Sequence, residues 1–222
     1  MDVVLIAGLW LDGSAWADVA ASSRSLGHRP VPLTLPGQDL DGQVAAVVAA
    51  VDAAAGKPVV VGHSMAATLA WLAVDARPDR VAAVVLVGGF PAADGRPYAE
   101  GFEIRGGVVP FPGWAAFEGP DSADLDEQTR SAIADAAIPV PEAVARGVVR
   151  LVDERRFGVP VVVVCPEFSP EQARKWIDAG EVPELARARD VEFVDIDSGH
   201  WPMYTKPAEL AGILAAVASA QR

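Results

Sequence analysis

The sequence predicts an α/β fold, a mostly parallel central sheet flanked by helices with a small helical cap inserted between two of its later strands. Three observations predict it. Short runs rich in valine and isoleucine alternate with helical patterns along most of the 222 residues, the order that builds β-α-β units. Most of those runs are apolar, as strands of a parallel sheet covered on both faces are. Between Pro91 and Phe157 the regularity breaks down, and an unstructured loop of that length is improbable in a compact domain. Residues 1–90 and 158–222 are therefore read as the core, and residues 91–157 as the inserted cap.

The elements follow in order. "VVLIAG" is a strand, and "GSAWADVAASSRSL" continues as a helix. "HRPVPLTLPG" returns as a strand ended by Pro36 and Gly37, followed by the helix "DGQVAAVVAAVDAAAG" with Gly56 as its expected C-cap. "PVVVGHS" leads into a tight turn, and "MAATLAWLAVDA" is the helix after it, closed by the Arg77-Pro78 step. "RVAAVVLVGG", "VPVVVVC" and "VEFVDID" are the remaining strands, and "PAELAGILAAVASA" is a closing helix with Pro207 in its first turn. The cap carries Phe111, Trp114 and Phe117, then an acidic patch, and no clear strand. Placed over the C-terminal ends of the strands, it would shape a pocket where open α/β sheets bind ligands.

Composition narrows the function. The chain is 51% hydrophobic and 22% charged, the profile of a folded domain. Its net charge of -12 argues against a nucleic-acid or anionic-membrane partner, because phosphate binding draws on Lys and Arg clusters. The N-terminus opens directly into "DVVLIAGLW", which favours a cytoplasmic location. A single cysteine, Cys165, leaves no internal disulfide and too few thiols for a cysteine-based zinc site; at the end of an apolar strand it is read as buried and inert. No cofactor or metal is expected, and the expected partner is a small molecule. Oligomeric state stays open, with a homodimer as one outcome.

The chemistry concentrates at "VVVGHSMAATL". G-x-S-x-G marks a sharp strand-to-helix turn that lifts a serine hydroxyl clear of the sheet; here Ala66 fills the last position. A serine hydroxyl is a weak nucleophile and needs a positioned base and donors for the developing oxyanion. Of three histidines, His28 enters a strand and is read as a surface residue. His63 flanks Ser64, but adjacent positions on a sharp turn point different ways. His200, directly after the last strand, is the candidate base.

On these residues the chain resembles the α/β-hydrolases across nearly its whole length, from "LIAGLWLDGSAW" through the Ser64 turn to "DSGHWPMYTKPAEL". Within that superfamily it is most similar to the serine esterase branch of plant methylesterases, hydroxynitrile lyases and bacterial carboxylesterases. The resemblance implies that the backbone N–H groups of Leu9 and Met65 form an oxyanion hole, although Ala7 stands where that branch usually has histidine. It implies a carboxylate just after the "VPVVVVC" strand, where this sequence reads "CPEFSPEQ", with Phe168 or Ser169 at the aspartate's usual place. Glu167 is the nearest carboxylate; Asp94, after the preceding strand, is the competitor, and Asp197 is read as capping or orienting the His200 loop. Trp10, His63 and Trp201 are the candidate pocket residues, with Trp16 a further candidate whose commoner role is core packing. The implied activity is hydrolysis of a carboxylic ester or lactone through an acyl-enzyme. The alternatives are a small-ligand-binding protein of this fold that has lost efficient turnover, and a hydroxynitrile-lyase-like C–C lyase. The lyases carry lysine immediately after the histidine, where this chain has Trp201.

Overall fold

A computed structural model describes residues 1–221. Six strands form one parallel sheet: β1 (Asp2–Ile6), β2 (Arg29–Leu33), β3 (Val59–His63), β4 (Ala83–Val87), β7 (Val161–Cys165) and β8 (Val191–Asp195), in the order β2-β1-β3-β4-β7-β8. Between them run α1 (Ala17–Ser25), α2 (Leu40–Asp52), α3 (Ala66–Ala76), α6 (Pro170–Asp178) and α7 (Pro183–Ala186), and the chain closes with α8 (Pro202–Thr205) and α9 (Pro207–Ala220). Side-chain alternation along each strand divides the core in two. Val59 and Val61 of β3 pack with Trp16 and Val19 of the first helical segment and Leu210 and Leu214 of α9; Val60 packs with Val47 of α2 and Leu69 of α3 on the opposite face.

The insertion between β4 and β7 is less helical than its length suggested. It holds α4 (Glu127–Ala136), a single turn α5 (Glu142–Ala145), and a two-residue antiparallel ribbon of β5 (Val108–Val109) and β6 (Val140–Pro141). A two-residue strand is too short to show a period, so the ribbon left no signal in the sequence. The end of the insertion is tied to the core by a buried charge network. Arg156 donates Nε to Glu184 at 3.0 Å and a terminal nitrogen to Asp75 of α3 at 3.1 Å, while Asp75 also accepts the backbone N–H groups of Val152 and Asp153. Trp71 completes the network by donating its indole N–H to Glu184 at 3.0 Å.

Three local expectations change, and Trp16 takes the core position that the sequence favoured. α2 ends at Asp52 with Ala53 as its cap, not at Gly56, because Asp52 turns out to pair with Arg77 and the next residues leave the helix for Asp2, which accepts the Ala55 N–H. His28 is buried rather than on the surface, since the chain enters β2 beneath α1. Trp16 is fully buried under α9 and takes no part in a pocket. An unforeseen helix, α6, follows β7, started by a capping box in which Ser169 and Gln172 bond each other's backbone N–H groups.

The register places the C-terminal ends of β3, β4, β7 and β8 at one edge of the sheet, with His63 opposite Val87 and Cys165 opposite Asp195. The strand order reverses between β1 and β3, and the loops leaving these two strands diverge there, as they do at the ligand crevice of open α/β sheets. At this point α3 must start almost on top of β3. A Cβ on Gly62 would collide with the carbonyl of Ala66 and come within 2.9 Å of the Ala67 Cα. Gly62→Ala is therefore expected to displace the Ser64 turn and to cost about 1–3 kcal/mol or more of stability, measured by urea unfolding, whereas an unchanged midpoint would show that the turn can absorb a methyl group.

Candidate active site

Ser64 lies between the last residue of β3 and the start of α3 with a φ of 55°, in the left-handed region that non-glycine residues rarely occupy. The turn is held from both sides: the Ser64 N–H donates to the Val87 carbonyl at 2.8 Å, and the Ser64 carbonyl accepts the Ala67 N–H at 3.0 Å. The one other non-glycine residue with positive φ among the described residues is Trp10, at 65°, on the loop leaving β1. Such conformations cost of order 1–3 kcal/mol each and cluster where a site needs an atom held at a fixed place.

The structure brings three sequence-predicted residues into one line. Ser64 Oγ is 2.9 Å from His200 Nε2, and His200 Nδ1 is 2.6 Å from Glu167 Oε1. A carboxylate can only accept, so Nδ1 carries the hydrogen and Nε2 is left as the acceptor for the serine hydroxyl. Asp94 is excluded as the histidine's partner, because its carboxylate is turned the other way and accepts the Leu151 N–H at 2.8 Å. Phe168 packs against Phe90 and Trp176, and Ser169 is spent on capping α6, so Glu167 alone of the "CPEFSPEQ" stretch reaches the imidazole. Its second oxygen, Oε2, is buried with no hydrogen-bond partner among the described residues.

His200 is fixed by its backbone as well as its ring. Its carbonyl accepts the Nε2–H of His63 at 2.7 Å, and its N–H donates to the Asp121 carbonyl at 2.7 Å. Asp124 Oδ2 accepts the neighbouring Gly199 N–H at 2.8 Å and the Ser198 hydroxyl at 3.2 Å. Gly199 is obligatory here, since a Cβ would run into the Asp121 carbonyl and the Asp124 carboxylate. Asp197, expected to orient this loop, is exposed, and the orienting carboxylate comes from Asp124, in the insertion, instead. The only sequence trace of Asp121 and Asp124 is an acidic patch, which carries no information about which loop it meets.

Leu9 and Met65 both line the chamber beside Ser64, and neither donates its backbone N–H to an acceptor among the described residues. Trp10, His63 and Trp201 line the same chamber, joined by Phe102 and Phe117 from the insertion. These rings pack edge to face: Trp201 lies 5.1 Å from Phe117 and 4.9 Å from the His200 ring.

Burial sets the protonation states. Loss of hydration drives the His63 pKa down from 6.5 to about 3, with the nearby His200 adding to the shift, so His63 is neutral and its Nε2–H is available to the His200 carbonyl. The Asp121 carboxyl is raised by burial and then by the like charge of Glu167. Burial also pushes the Cys165 thiol up to about 12, which leaves it unreactive. Among the described residues no group of three or more His, Cys, Asp or Glu could hold a metal ion. No helix among them is long and apolar enough to cross a membrane.

A parallel sheet of this order, with a strained serine turn after its third strand and a histidine after its last, defines an α/β-hydrolase fold. The profile of the alpha/beta hydrolase family matches residues 3–213, and the chain belongs to that family. The lipase LipV of Mycobacterium tuberculosis is 29% identical over 96% of this chain and 91% of its own length. Among solved structures, an extracellular alpha/beta-hydrolase from a Paenibacillus species superposes with a TM-score of 0.76 at 17% identity, covering 98% of both chains. A methylesterase from Arabidopsis superposes with a TM-score of 0.78 at 14% identity, covering 99% of both. Family membership, with a lipase among the relatives, supports a hydrolase.

The buried neutral His63 makes stability acid-sensitive. The unfolded chain binds a proton at this residue near pH 6.5, whereas the folded chain does not until about pH 3, so stability falls as pH drops through that window. His63→Gln keeps a donor for the His200 carbonyl and removes the titration. Its urea-unfolding free energy should decline less steeply than wild type between these pH values, by about 1.4 kcal/mol per pH unit; parallel slopes would refute the assignment.

Proposed function

We propose that the protein is a serine esterase acting on carboxylic esters or lactones, with Ser64 as nucleophile, His200 as general base and acid, and Glu167 as the carboxylate behind it. The observation that carries this reading is the continuous hydrogen-bonded line from Ser64 Oγ through His200 to Glu167 Oε1, beside two backbone N–H groups that have no acceptor among the described residues. Oγ attacks the carbonyl carbon while Nε2 takes its proton, and the carbonyl π electrons move onto oxygen. The N–H groups of Leu9 and Met65 stabilise this oxyanion. Collapse of the tetrahedral adduct expels the alkoxide, which leaves with the proton from Nε2, and Ser64 remains acylated. Water then repeats the sequence: His200 takes its proton, its oxygen joins the acyl carbon, and the carboxylic acid departs as Oγ recovers its proton. Throughout, Glu167 holds the Nδ1–H tautomer and faces the imidazolium with an opposite charge.

Two measurements test the roles. A pre-steady-state burst of p-nitrophenol from a short acyl ester, equal to the enzyme concentration, is expected and should vanish in Ser64→Ala; its persistence would remove Ser64 from the chemistry. Glu167→Gln should lower kcat by about 10²–10⁴, the scale for a triad histidine left in the wrong tautomer. Asp94→Asn should leave kcat near wild type, and a larger loss there than at Glu167 would reverse the assignment.

A further inference from the structure

Trp10 lines three cavities: the Ser64 chamber, a second one behind it, and an outer one against α4. The chamber holding Ser64, His200, Phe102, Phe117 and Trp201 has a volume of about 30 Å³, the share of one molecule in liquid water. Behind it lies a second cavity of about 140 Å³, partly open to solvent, walled by the apolar Leu69, Val140 and Val144 and also by the polar Asp12, Thr34 and Gln43. That is close to the roughly 150 Å³ apolar cavity known to admit a benzene ring. Gly8, Leu9 and Trp10 are common to both walls.

Of these three, Trp10 has the side chain that reaches from one space to the other. Its ring lies 5.3 Å from Phe102 and 6.0 Å from Phe117, both lining the first chamber. Its Nε1–H donates to the Val109 carbonyl at 3.2 Å, and Val109 pairs in register with Val140, a wall of the second cavity. The Trp10 carbonyl accepts the Ile138 N–H at 2.9 Å, which holds the residue at its left-handed φ. The indole is thus fixed at its backbone, its ring face and its polar edge.

We propose that Trp10 is the specificity-determining residue of this site: its indole confines the acyl group to about the size of acetyl and shuts off an apolar acyl-chain subsite behind it. The proposal rests on the esterase reading given above. Removal of the ring joins the two spaces and admits acyl groups of five or six carbons, or a benzoyl ring, for which the second cavity has the volume and a mainly apolar wall.

The test is a series of p-nitrophenyl esters, acetate, butyrate, hexanoate and benzoate, with active sites counted by methanesulfonyl fluoride, a serine reagent of acetyl size. Wild type should prefer acetate. In Trp10→Gly, where glycine accepts the positive φ without a Cβ penalty, the hexanoate-to-acetate ratio of kcat/KM should rise about tenfold or more. Trp10→Phe should fall between the two, and carries the test if the glycine variant does not fold. Ile138→Trp, at a half-exposed position on the rim of the second cavity, should take the gain back when added to Trp10→Gly. An unchanged ratio in variants that titrate fully would overturn the proposal, as would a wild type that already prefers hexanoate, or a shift produced by Leu9→Ala instead. A wild type that neither titrates nor turns over any ester overturns the esterase reading itself, so the two failures are distinct.

Discussion

The site depends on a single backbone constraint, the left-handed conformation of Ser64 at the junction of β3 and α3. Turning the chain so sharply requires the helix to begin against the strand it has just left, which only a residue without a side chain at position 62 allows. The turn does not relax because its two ends are anchored in the sheet and the helix: Val87 holds the Ser64 N–H, and Ala67 holds its carbonyl. A cost of a few kcal/mol is thereby carried by a core in which β3, β4 and α3 are almost entirely buried. The return is a hydroxyl fixed in direction, with the first N–H groups of a helix beside it.

His200 is secured by a different principle. Ser64 sits in a turn clamped directly between β3 and α3, whereas His200 sits on a loop, and loops hold position only through hydrogen bonds to something firmer. Here the carbonyl of His200 is bonded by the buried ring of His63 and its N–H by the insertion, so both backbone groups are satisfied before the imidazole is considered. Charge adds to this. Glu167 is only slightly exposed, and one of its oxygens has no partner among the described residues, so its field is directed at the imidazole rather than shared among donors. An imidazolium formed there gains more than it would beside a fully hydrated carboxylate.

What could be read in advance follows the range of the interactions. The strands, their succession along the chain and the Ser64 turn rest on local patterns of four to eight residues, and valine runs and glycines are legible at that scale, whereas the order of the strands within the sheet is not. His200 was legible through its place after the last strand. The choice between Glu167 and Asp94 was not, because it depends on loop paths: Asp94 is drawn away by a backbone group 57 residues later, at Leu151. Asp124 was illegible for the same reason, since its partners at Ser198 and Gly199 lie about 75 residues on and one exposed acidic residue looks like another. His28 was misplaced because a polar residue at a strand entrance gives no local sign of being roofed by a helix. The α6 capping box, by contrast, was present in "SPEQ" and shows that the residues after Glu167 were committed to helix initiation rather than to the triad.

The bonds from Asp121 and Asp124 to the His200 loop change what the insertion is. An insertion that merely roofed a pocket could be exchanged for another by grafting, with the machinery beneath it left intact. This one supplies a carbonyl and a carboxylate that hold the backbone of the His200 loop, so a foreign segment spliced in at residues 91–157 would have to bring both groups to the same place. Large outward swings of the whole segment would also pull those groups away from the histidine. Traffic into the chamber is consequently a matter of side-chain rearrangement among the rings that line it, and divergence of the insertion is limited by the geometry of the loop it supports.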